Sequence, residues 1–284
     1  MNIELTRKNM MKKNTAHTLL RYPGGKFYAL KLLEPFWKSV EHDEYREPFF
    51  GGGSVFWAKE KVKFNWINDK ESELINLLDV IKNERSRNQL LMKFEGEEEA
   101  TKEKYIEVKQ MNADNELDRA YKYYYLNRTS FSGKMKNPTW GYRPKRSVPP
   151  YRWKEKIVPC GEKLRDVRIT NLDYQELIFA PAKGKSVLMF VDPPYFNANQ
   201  ENHYICSFKK EDHLRLAHDL KNTPYYFFLT YDNCEEIKEL YKWANIYEQE
   251  FFYRLDNSKD NENKRKTGKE LVITNFEVKK NESF

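Results

Sequence analysis

Residues 187–195 read VLMFVDPPY, an apolar run that ends in an acid, two prolines and a tyrosine. Five consecutive apolar residues are typical of a strand that is buried on both faces of a parallel sheet. Asp192 follows this strand directly, and the carboxyl ends of parallel strands form the edge where open α/β sheets bind their ligands. The stretch therefore predicts an α/β fold with a polar site at the end of a central strand.

The tetrapeptide after this strand, Asp192-Pro193-Pro194-Tyr195, offers two hydrogen-bond acceptors and an aromatic face. Because prolines fix the backbone and lack N–H donors, the carbonyl of Pro193 can point into a cleft beside the Asp192 carboxylate. Two acceptors suit the amino group of an aromatic amine, and Tyr195 can stack on a base that has left its helix. The alternative reading is a rigid turn with a capping acid and a core tyrosine.

The flanking segments alternate between strands and helices, as the units of a parallel sheet do. Before the central strand we predict strands at residues 47–54 and 64–69, each followed by a helix. After the middle of the chain we predict the other strands and two further helices. These strands lie at residues 167–172, 225–230, 246–254 and 270–276, the last two as an antiparallel pair, and the helices at residues 214–220 and 235–243.

A glycine turn and a later acid predict a nucleoside site. In FFGGGS, residues 49–54, the glycines permit close approach of a ligand to the backbone. Asp69, at the end of the next predicted strand, is placed for ribose hydroxyls. S-adenosylmethionine is such a nucleoside without a phosphate, and Lys26 of YPGGK, residues 22–26, could reach its carboxylate. Taken singly, a tight turn, a helix cap and a solvent-exposed lysine explain these residues equally well.

The middle of the chain has a different character. Residues 83–125 are helical in pattern and densely charged, and residues 127–153 mix Arg and Lys with aromatic residues, Pro and Gly. The whole chain has 50 Lys and Arg against 43 Asp and Glu, a formal net charge of +7. Cations can contact phosphates and aromatic side chains can stack on bases, so the middle segment predicts a DNA-binding insertion. A charged solvated face is the alternative.

Composition excludes several other classes of protein. The three cysteines form no CxxC pair, which argues against zinc and a disulfide framework and favours a reducing cytoplasm. The chain has no apolar run of membrane-spanning length and no signal peptide. We therefore expect a cytoplasmic protein without a metal or a membrane contact.

The motifs YPGGK, EPFFGGGS, IND, NLDY, DPPY and KELVITNF occur in this order. In this arrangement the chain resembles the Dam-like (D12 class) DNA adenine-N6 methyltransferases, some of which act beside restriction enzymes. The resemblance runs from about residue 19 to residue 276. It implies a Rossmann-like S-adenosylmethionine-dependent methyltransferase sheet at residues 1–79 and 161–284, with a helical and loop-rich target-recognition insertion at residues 80–160.

The resemblance also assigns residues to three roles. The implied catalytic residues are Asp192, Pro193, Pro194 and Tyr195. The implied cofactor residues are Tyr22, Lys26, Phe50, Gly51, Gly53, Asp69, Asp173 and Tyr174. The stretch NRTSFSG, residues 127–133, resembles the start of the family's DNA-contacting part, and the implied DNA contacts are Asn127, Arg128, Ser130, Ser132, Lys134, Arg143, Lys145 and Arg146.

This chain departs from the family pattern at three places. Many relatives have Trp where this chain has Tyr22, Asp-Phe where it has Asp173-Tyr174, and Asn-Gly where it has Ser132-Gly133. The last difference lies in the stretch that the resemblance assigns to DNA contacts.

The resulting expectation is a site-specific enzyme that transfers a methyl group from S-adenosylmethionine to N6 of adenine in double-stranded DNA by base flipping. We expect a monomer without a metal, which shares its system with a cognate restriction endonuclease but forms no stable complex with it. The alternatives are a methyltransferase for cytosine N4, RNA adenine or protein glutamine, or a catalytically silent DNA-binding protein. Cytosine-N4 enzymes usually have Ser and glutamine enzymes Asn where this chain has Asp192. A nuclease is the weakest alternative.

Overall fold

The computed structural model describes residues 18–22, 24–197, 208–252 and 267–279. Seven strands form one sheet in the order β3-β2-β1-β4-β5-β7-β6. Neighbouring strands from β3 to β5 pair in parallel, whereas β7 is antiparallel to β5 and β6 to β7. The strands are β1 Glu44–Glu47, β2 Phe64–Asn68, β3 Val167–Thr170, β4 Val187–Val191, β5 Tyr226–Asp232, β6 Asn245–Phe252 and β7 Thr267–Thr274.

Helices connect these strands and also build the middle of the chain. The α-helices are α1 Leu30–Lys38, α2 Ser54–Ala58, α3 Ser72–Lys82, α4 Glu84–Met92, α5 Lys102–Gln110, α6 Glu116–Thr129, α7 Lys154–Lys163, α8 Tyr174–Phe179, α9 Lys210–Asn222 and α10 Glu235–Leu240. Short 3-10 helices lie at Lys26–Ala29, Phe131–Gly133 and Pro150–Arg152. The predicted α/β fold is confirmed, including β4 over its full length and the antiparallel pair at the carboxyl end.

The strand predicted at residues 47–54 is wrong in position, because β1 ends at Glu47 and Pro48 begins the turn. A proline has no N–H to donate to a strand ladder, so the strand cannot continue through it. The sequence EYRE of β1 is polar for a central strand, yet all four of its residues are buried. Arg46 makes this possible, since its guanidinium pairs with Glu44 and donates to main-chain carbonyls within the last turn of α8 and just after it.

The core covers both faces of the sheet, and β4 shows how. Leu188 and Phe190 point into one hydrophobic cluster, while Val187, Met189 and Val191 point into the other. This alternation follows from the two-residue period of a strand. A strand with apolar layers on both sides explains why the sequence of β4 is continuously apolar.

The predicted insertion shares one of these clusters with the sheet. Trp153 packs edge-on against Phe94, Tyr124 and Tyr125, and all four belong to the cluster that also holds Phe190. The predicted limits at residues 80 and 160 fall inside α3 and α7. The division into a catalytic and a recognition domain stays a prediction, but the hydrophobic core is continuous across it.

No helix in the described ranges combines the length and the apolar character that crossing a membrane requires.

Candidate active site

A pocket opens at the carboxyl edge of the sheet, between the turns that follow β1 and β4. These two strands are neighbours in the middle of the sheet, and the chain leaves them toward β2 on one side and toward β5 on the other. Such a reversal of strand order is where open α/β sheets bind ligands. All eight residues that the sequence assigned to the cofactor line this pocket: Tyr22, Lys26, Phe50, Gly51, Gly53, Asp69, Asp173 and Tyr174.

The glycine turn after β1 forms the floor of the pocket and leaves no room for larger residues. Gly51 and Gly53 have φ values of +46° and +63°, in the left-handed region that favours glycine. A Cβ on Gly51 would lie 3.0 Å from the ring of Tyr22, and one on Gly53 would lie 2.3 Å from the ring of Phe50. The turn therefore depends on its glycines for both backbone conformation and space.

Asp69 follows β2 and faces the glycine turn. Its Oδ2 accepts a hydrogen bond from the Gly51 N–H at 2.7 Å, and its Oδ1 accepts one from the Glu71 N–H at 2.9 Å. Burial raises the pKa of this carboxyl above its usual range, while these N–H groups lower it. A carboxylate oxygen has two lone-pair sites, so each one can also accept a hydroxyl hydrogen bond. The position suits ribose recognition.

Aromatic side chains form one wall of the pocket. The rings of Phe49 and Tyr174 are stacked with centroids 5.1 Å apart, and Phe208 meets Phe49 edge-on at 5.7 Å. Arg215 of α9 lies over Tyr174, 4.6 Å from the ring centroid, and its Nη2 is 3.2 Å from Oδ2 of Asp173. The sequence interpretation missed Phe49, Phe208 and Arg215. Of these three residues, only Phe49 could have been predicted from the sequence, because it lies directly beside the glycine turn.

Asp192, directly after β4, is held from two sides. Thr230 of β5 donates its hydroxyl to Asp192 Oδ1 at 2.6 Å, and the Lys26 Nζ lies 2.9 Å from the same oxygen. Lys26 also donates to the Gly24 carbonyl at 3.0 Å and lies 4.7 Å from the centroid of the Tyr195 ring. The sequence placed Lys26 at the carboxylate of the cofactor, but in this structure its ammonium contacts the carboxylate of Asp192.

Residues of β5 and β7 hold Tyr195 and the two residues that follow the DPPY segment. Tyr195 donates its hydroxyl to Glu270 Oε2 at 2.6 Å. Asp232 accepts hydrogen bonds at 2.9 Å from the N–H groups of Phe196 and Asn197. Pro193 is buried, and Pro194 lines the pocket together with Asp192.

Three further carboxyl groups line the pocket, those of Glu47, Glu71 and Asp212, and the sequence interpretation assigned none of them. Glu47, at the end of β1, accepts a hydrogen bond from the Tyr45 hydroxyl at 2.9 Å. Burial raises the pKa of Glu47 well above its usual range, and Asp192 and Asp69 raise it further. Burial also raises the pKa of Glu71 to about 7. The acid of EPFF was part of a quoted motif, whereas nothing in the sequence marked Glu71.

Asn127, an expected DNA contact, lies in the interior with no exposed surface. Its Oδ1 accepts a hydrogen bond from the Arg21 N–H at 3.0 Å. Its Nδ2 donates to the carbonyls of Arg21 at 2.9 Å and of Gly133 at 3.1 Å. Asn127 thus joins the insertion to the segment that precedes Tyr22, and it presents no atom to DNA in this conformation. Ser130 is likewise fully buried.

The other six expected DNA contacts reach the surface. Ser132, Arg143, Lys145 and Arg146 are exposed, and Arg128 and Lys134 are half-buried. The aromatic residues of this region divide in the same way, since Phe131 and Tyr151 are exposed whereas Tyr142 and Trp153 are buried. The loop at residues 259–269 is also basic and could clamp the DNA backbone or form a hairpin tip, but it lies mostly outside the described residues.

Comparison with known families agrees with this geometry. The family of D12 class N6 adenine-specific DNA methyltransferases matches residues 22–255, a range that includes the glycine turn, Asp69 and the DPPY segment. The chain belongs to this family. Membership makes it a DNA adenine methyltransferase and implies S-adenosylmethionine as the methyl donor.

Similar sequences of full length are known for this D12 class enzyme. It is 29% identical over 269 residues to the type II methyltransferase M.CviBI of Paramecium bursaria Chlorella virus NC1A. That alignment covers 91% of this chain and 99% of the relative. It is 26% identical over 294 residues to the type II methyltransferase M1.LlaDCHI of Lactococcus lactis subsp. cremoris. That alignment covers 94% of this chain and 99% of the relative.

Among solved structures, a class I S-adenosylmethionine-dependent methyltransferase from Listeria monocytogenes aligns with 96% of this chain at a TM-score of 0.37 and 11% identity. The alignment covers 66% of that protein.

Proposed function

We propose that this protein methylates N6 of adenine at a specific sequence in double-stranded DNA, and that the target base leaves the helix to enter the pocket beside Asp192. One observation carries the proposal. The Asp192 carboxylate lines the same pocket as Asp69, Tyr174 and the glycine turn. An acceptor for an amino group therefore lies next to a site that suits a nucleoside cofactor.

The residues around the pocket fit S-adenosylmethionine. Asp69 would accept hydrogen bonds from its ribose, Tyr174 and Phe49 would enclose its adenine, and the glycine turn admits it where a Cβ on Gly51 would crowd Tyr22. When bound, the cofactor supplies an electrophilic methyl group on a sulfonium centre.

Asp192 acts on the target amine as a fixed acceptor. The Lys26 ammonium and the Thr230 hydroxyl hold the carboxylate in one orientation, and Oδ2, which Lys26 contacts at 3.1 Å, has a second lone-pair site that can accept an N–H. An acceptor that is oriented before the reaction stabilises the positive charge that develops on the nitrogen without having to reorganise. The Pro193 carbonyl is the second expected acceptor of the pair.

Tyr195 and the insertion would handle the DNA. A base cannot be reached inside a duplex, so the target base leaves the helix. The ring of Tyr195 then stacks on the extruded base. The exposed cations Arg143, Lys145 and Arg146 contact phosphates or base edges. We expect the enzyme to act as a monomer.

A methyl-transfer assay tests the proposal. Labelled S-adenosylmethionine is offered with duplex DNA, single-stranded DNA and RNA of mixed sequence, and the products are digested to nucleosides. We expect the label in N6-methyl-2′-deoxyadenosine from duplex DNA. Label in N4-methylcytosine or in RNA would support one of the alternative methyltransferases instead, and cofactor binding without transfer would support a silent DNA-binding protein.

The role in the cell can be tested separately. Because both relatives named above are type II methyltransferases, we propose that this chain also serves as the modification enzyme of a restriction system. Methylation-sensitive sequencing of DNA from an expressing host would give the recognition sequence. That DNA should then resist an endonuclease that cuts the same sequence, and complete cutting would contradict the proposal.

A further inference from the structure

Glu270 is a buried carboxyl group that contacts the last residue of the DPPY segment, Tyr195. The proposed methyl transfer does not itself require this carboxyl group. Glu270 is 3% exposed and lies on β7, where it is the register partner of Asp232 on β5. The residues that follow it, Leu271, Val272 and Ile273, are fully buried and apolar. A charged group in such a strand costs stability unless it has a partner.

The partner of Glu270 is the hydroxyl of Tyr195. The Tyr195 Oη donates to Glu270 Oε2 at 2.6 Å, a length typical of a strong hydrogen bond to a carboxylate. Burial raises the pKa of Glu270, whereas the Lys26 ammonium and the Tyr195 hydroxyl lower it. The hydrogen bond is made at the far end of the tyrosine ring, opposite its attachment to the chain.

Side chains on β5 and β7 hold the DPPY segment at two points and the main chain directly after it at a third. Thr230 holds the Asp192 carboxylate, and Asp232 holds the main chain at Phe196 and Asn197. Glu270 holds the ring of Tyr195. A ring that is attached only through its Cβ can still tilt about two torsions, and a hydrogen bond at the opposite end removes most of that freedom.

We propose that Glu270 is a positioning residue for the target base, because it fixes through the Tyr195 hydroxyl the plane of the ring on which that base stacks. The proposal rests on the proposed function. It also changes what Tyr195 contributes. If the ring acted by stacking alone, Phe would replace Tyr195 with little loss. With Glu270 behind it, Phe loses the anchor of the ring and leaves a buried carboxyl without its donor.

A double-mutant cycle tests the proposal, with single-turnover methyl transfer to a duplex that carries the recognition sequence. Tyr195→Phe and Glu270→Leu should each slow transfer about tenfold, and the double variant should also be about tenfold slower, since both remove one shared interaction. Glu270→Gln should keep most of the rate, because its amide oxygen can accept the same hydrogen bond. Independent losses that multiply to about a hundredfold would overturn the proposal, as would Glu270→Gln falling to the rate of Glu270→Leu.

A second measurement follows the base itself. With 2-aminopurine in place of the target adenine, the fluorescence of the extruded base reports how it is stacked. We expect Tyr195→Phe and Glu270→Leu to change this signal in the same way, and Glu270→Gln to retain the wild-type signal. Should Glu270→Leu not fold, Tyr195→Phe alone decides, since a full transfer rate and an unchanged signal in that variant would refute the anchor.

The controls separate this proposal from the proposed function. Glu248→Leu removes a carboxylate of β6 that is 54% exposed, and it should leave the transfer rate unchanged. Affinity for S-adenosylmethionine should be the same in all variants. A wild-type protein that transfers no methyl group to DNA adenine would contradict the proposed function. A wild-type protein that does so, with losses that multiply in the cycle, would contradict only the role of Glu270.

Discussion

In the pocket, all eight residues expected at the cofactor line one cavity, whereas in the insertion two of the eight expected DNA contacts, Asn127 and Ser130, have no exposed surface. The difference lies in how each region is built. Parallel strands bring their carboxyl ends to one edge, so a motif that follows a strand has its position fixed by the topology. No such rule orders the irregular chain of residues 127–153, where a polar residue can satisfy the backbone as readily as a ligand.

Asp192→Ala should have the largest effect, because it removes a fixed acceptor from the pocket. Methyl transfer should fall about a hundredfold or more, while the affinity for S-adenosylmethionine is kept. Asp192→Asn should lose less, since its side-chain oxygen can still accept. Single-turnover transfer and calorimetry measure the two effects, with the exposed Asp114→Ala as the control. Full activity in Asp192→Ala would contradict the mechanism.

Gly51→Ala should weaken the binding of S-adenosylmethionine at least about tenfold, because its Cβ would press on the Tyr22 ring and strain the turn. The insertion offers a matched control. Gly96 also has a positive φ, of +77°, but a Cβ there would meet nothing within 4 Å. Gly96→Ala therefore introduces similar backbone strain without a clash. Equal cofactor affinity in the two variants would show that close approach at Gly51 is not needed.

Asn127→Ala should destabilise the fold by about 3 kcal/mol, because it leaves buried N–H and carbonyl groups of Arg21 and Gly133 without partners. Urea denaturation measures the loss. Asn112→Ala removes an exposed amide from the same insertion and should change stability by less than about 0.5 kcal/mol. If Asn127→Ala kept full stability but lost DNA affinity, Asn127 would be a direct DNA contact after all.

Glu71 tests the border between the two regions, because it lies beside Asp69 of the pocket and Tyr123 of α6. Its pKa is raised from 4.5 to about 7, mainly by burial and also by Asp69 and Glu73, although the Tyr123 hydroxyl lowers it. The folded state thus binds this proton more tightly than the unfolded state. The stability that Glu71 contributes is complete below a pH of about 4.5 and is lost as the pH rises through about 7.

The measurement is the free energy of unfolding of wild-type protein and Glu71→Gln between about pH 4.5 and pH 8. The wild type should lose up to about 3 kcal/mol relative to Glu71→Gln over that interval. Parallel pH profiles for the two proteins would mean that the Glu71 carboxyl has an ordinary pKa.

Arg143→Ala should have the smallest effect, because Arg143 is exposed and belongs to a group of cations. The fold should stay as stable as that of the wild type, and the logarithmic salt slope of DNA binding should flatten by about one unit if a phosphate contact is lost. A change in base preference at one position would instead indicate a base contact. Arg85→Ala removes the same charge from α4 as a control, and an equal change in slope there would mean that only net charge matters.

The sequence alone determined the fold class, and it placed the predicted site at the carboxyl end of a central strand. Apolar β4 and the residues after it were sufficient for this, because a strand buried on both faces allows few other sequences and its end fixes the site. The position of β1 could not be predicted in the same way. Its polar residues can be buried because Arg46 finds carbonyl acceptors at the end of α8 and just after it.

The tertiary structure decided which side chains act together. It brings Lys26 to Asp192, Glu270 to Tyr195 and Asn127 to Arg21, pairs that are 166, 75 and 106 residues apart in the chain. A motif fixes only the types of neighbouring residues and their spacing, so it leaves long-range partners undetermined. The long-range partners depend on how the helices cross and on the register of β5 with β7. The packing of the whole core determines both.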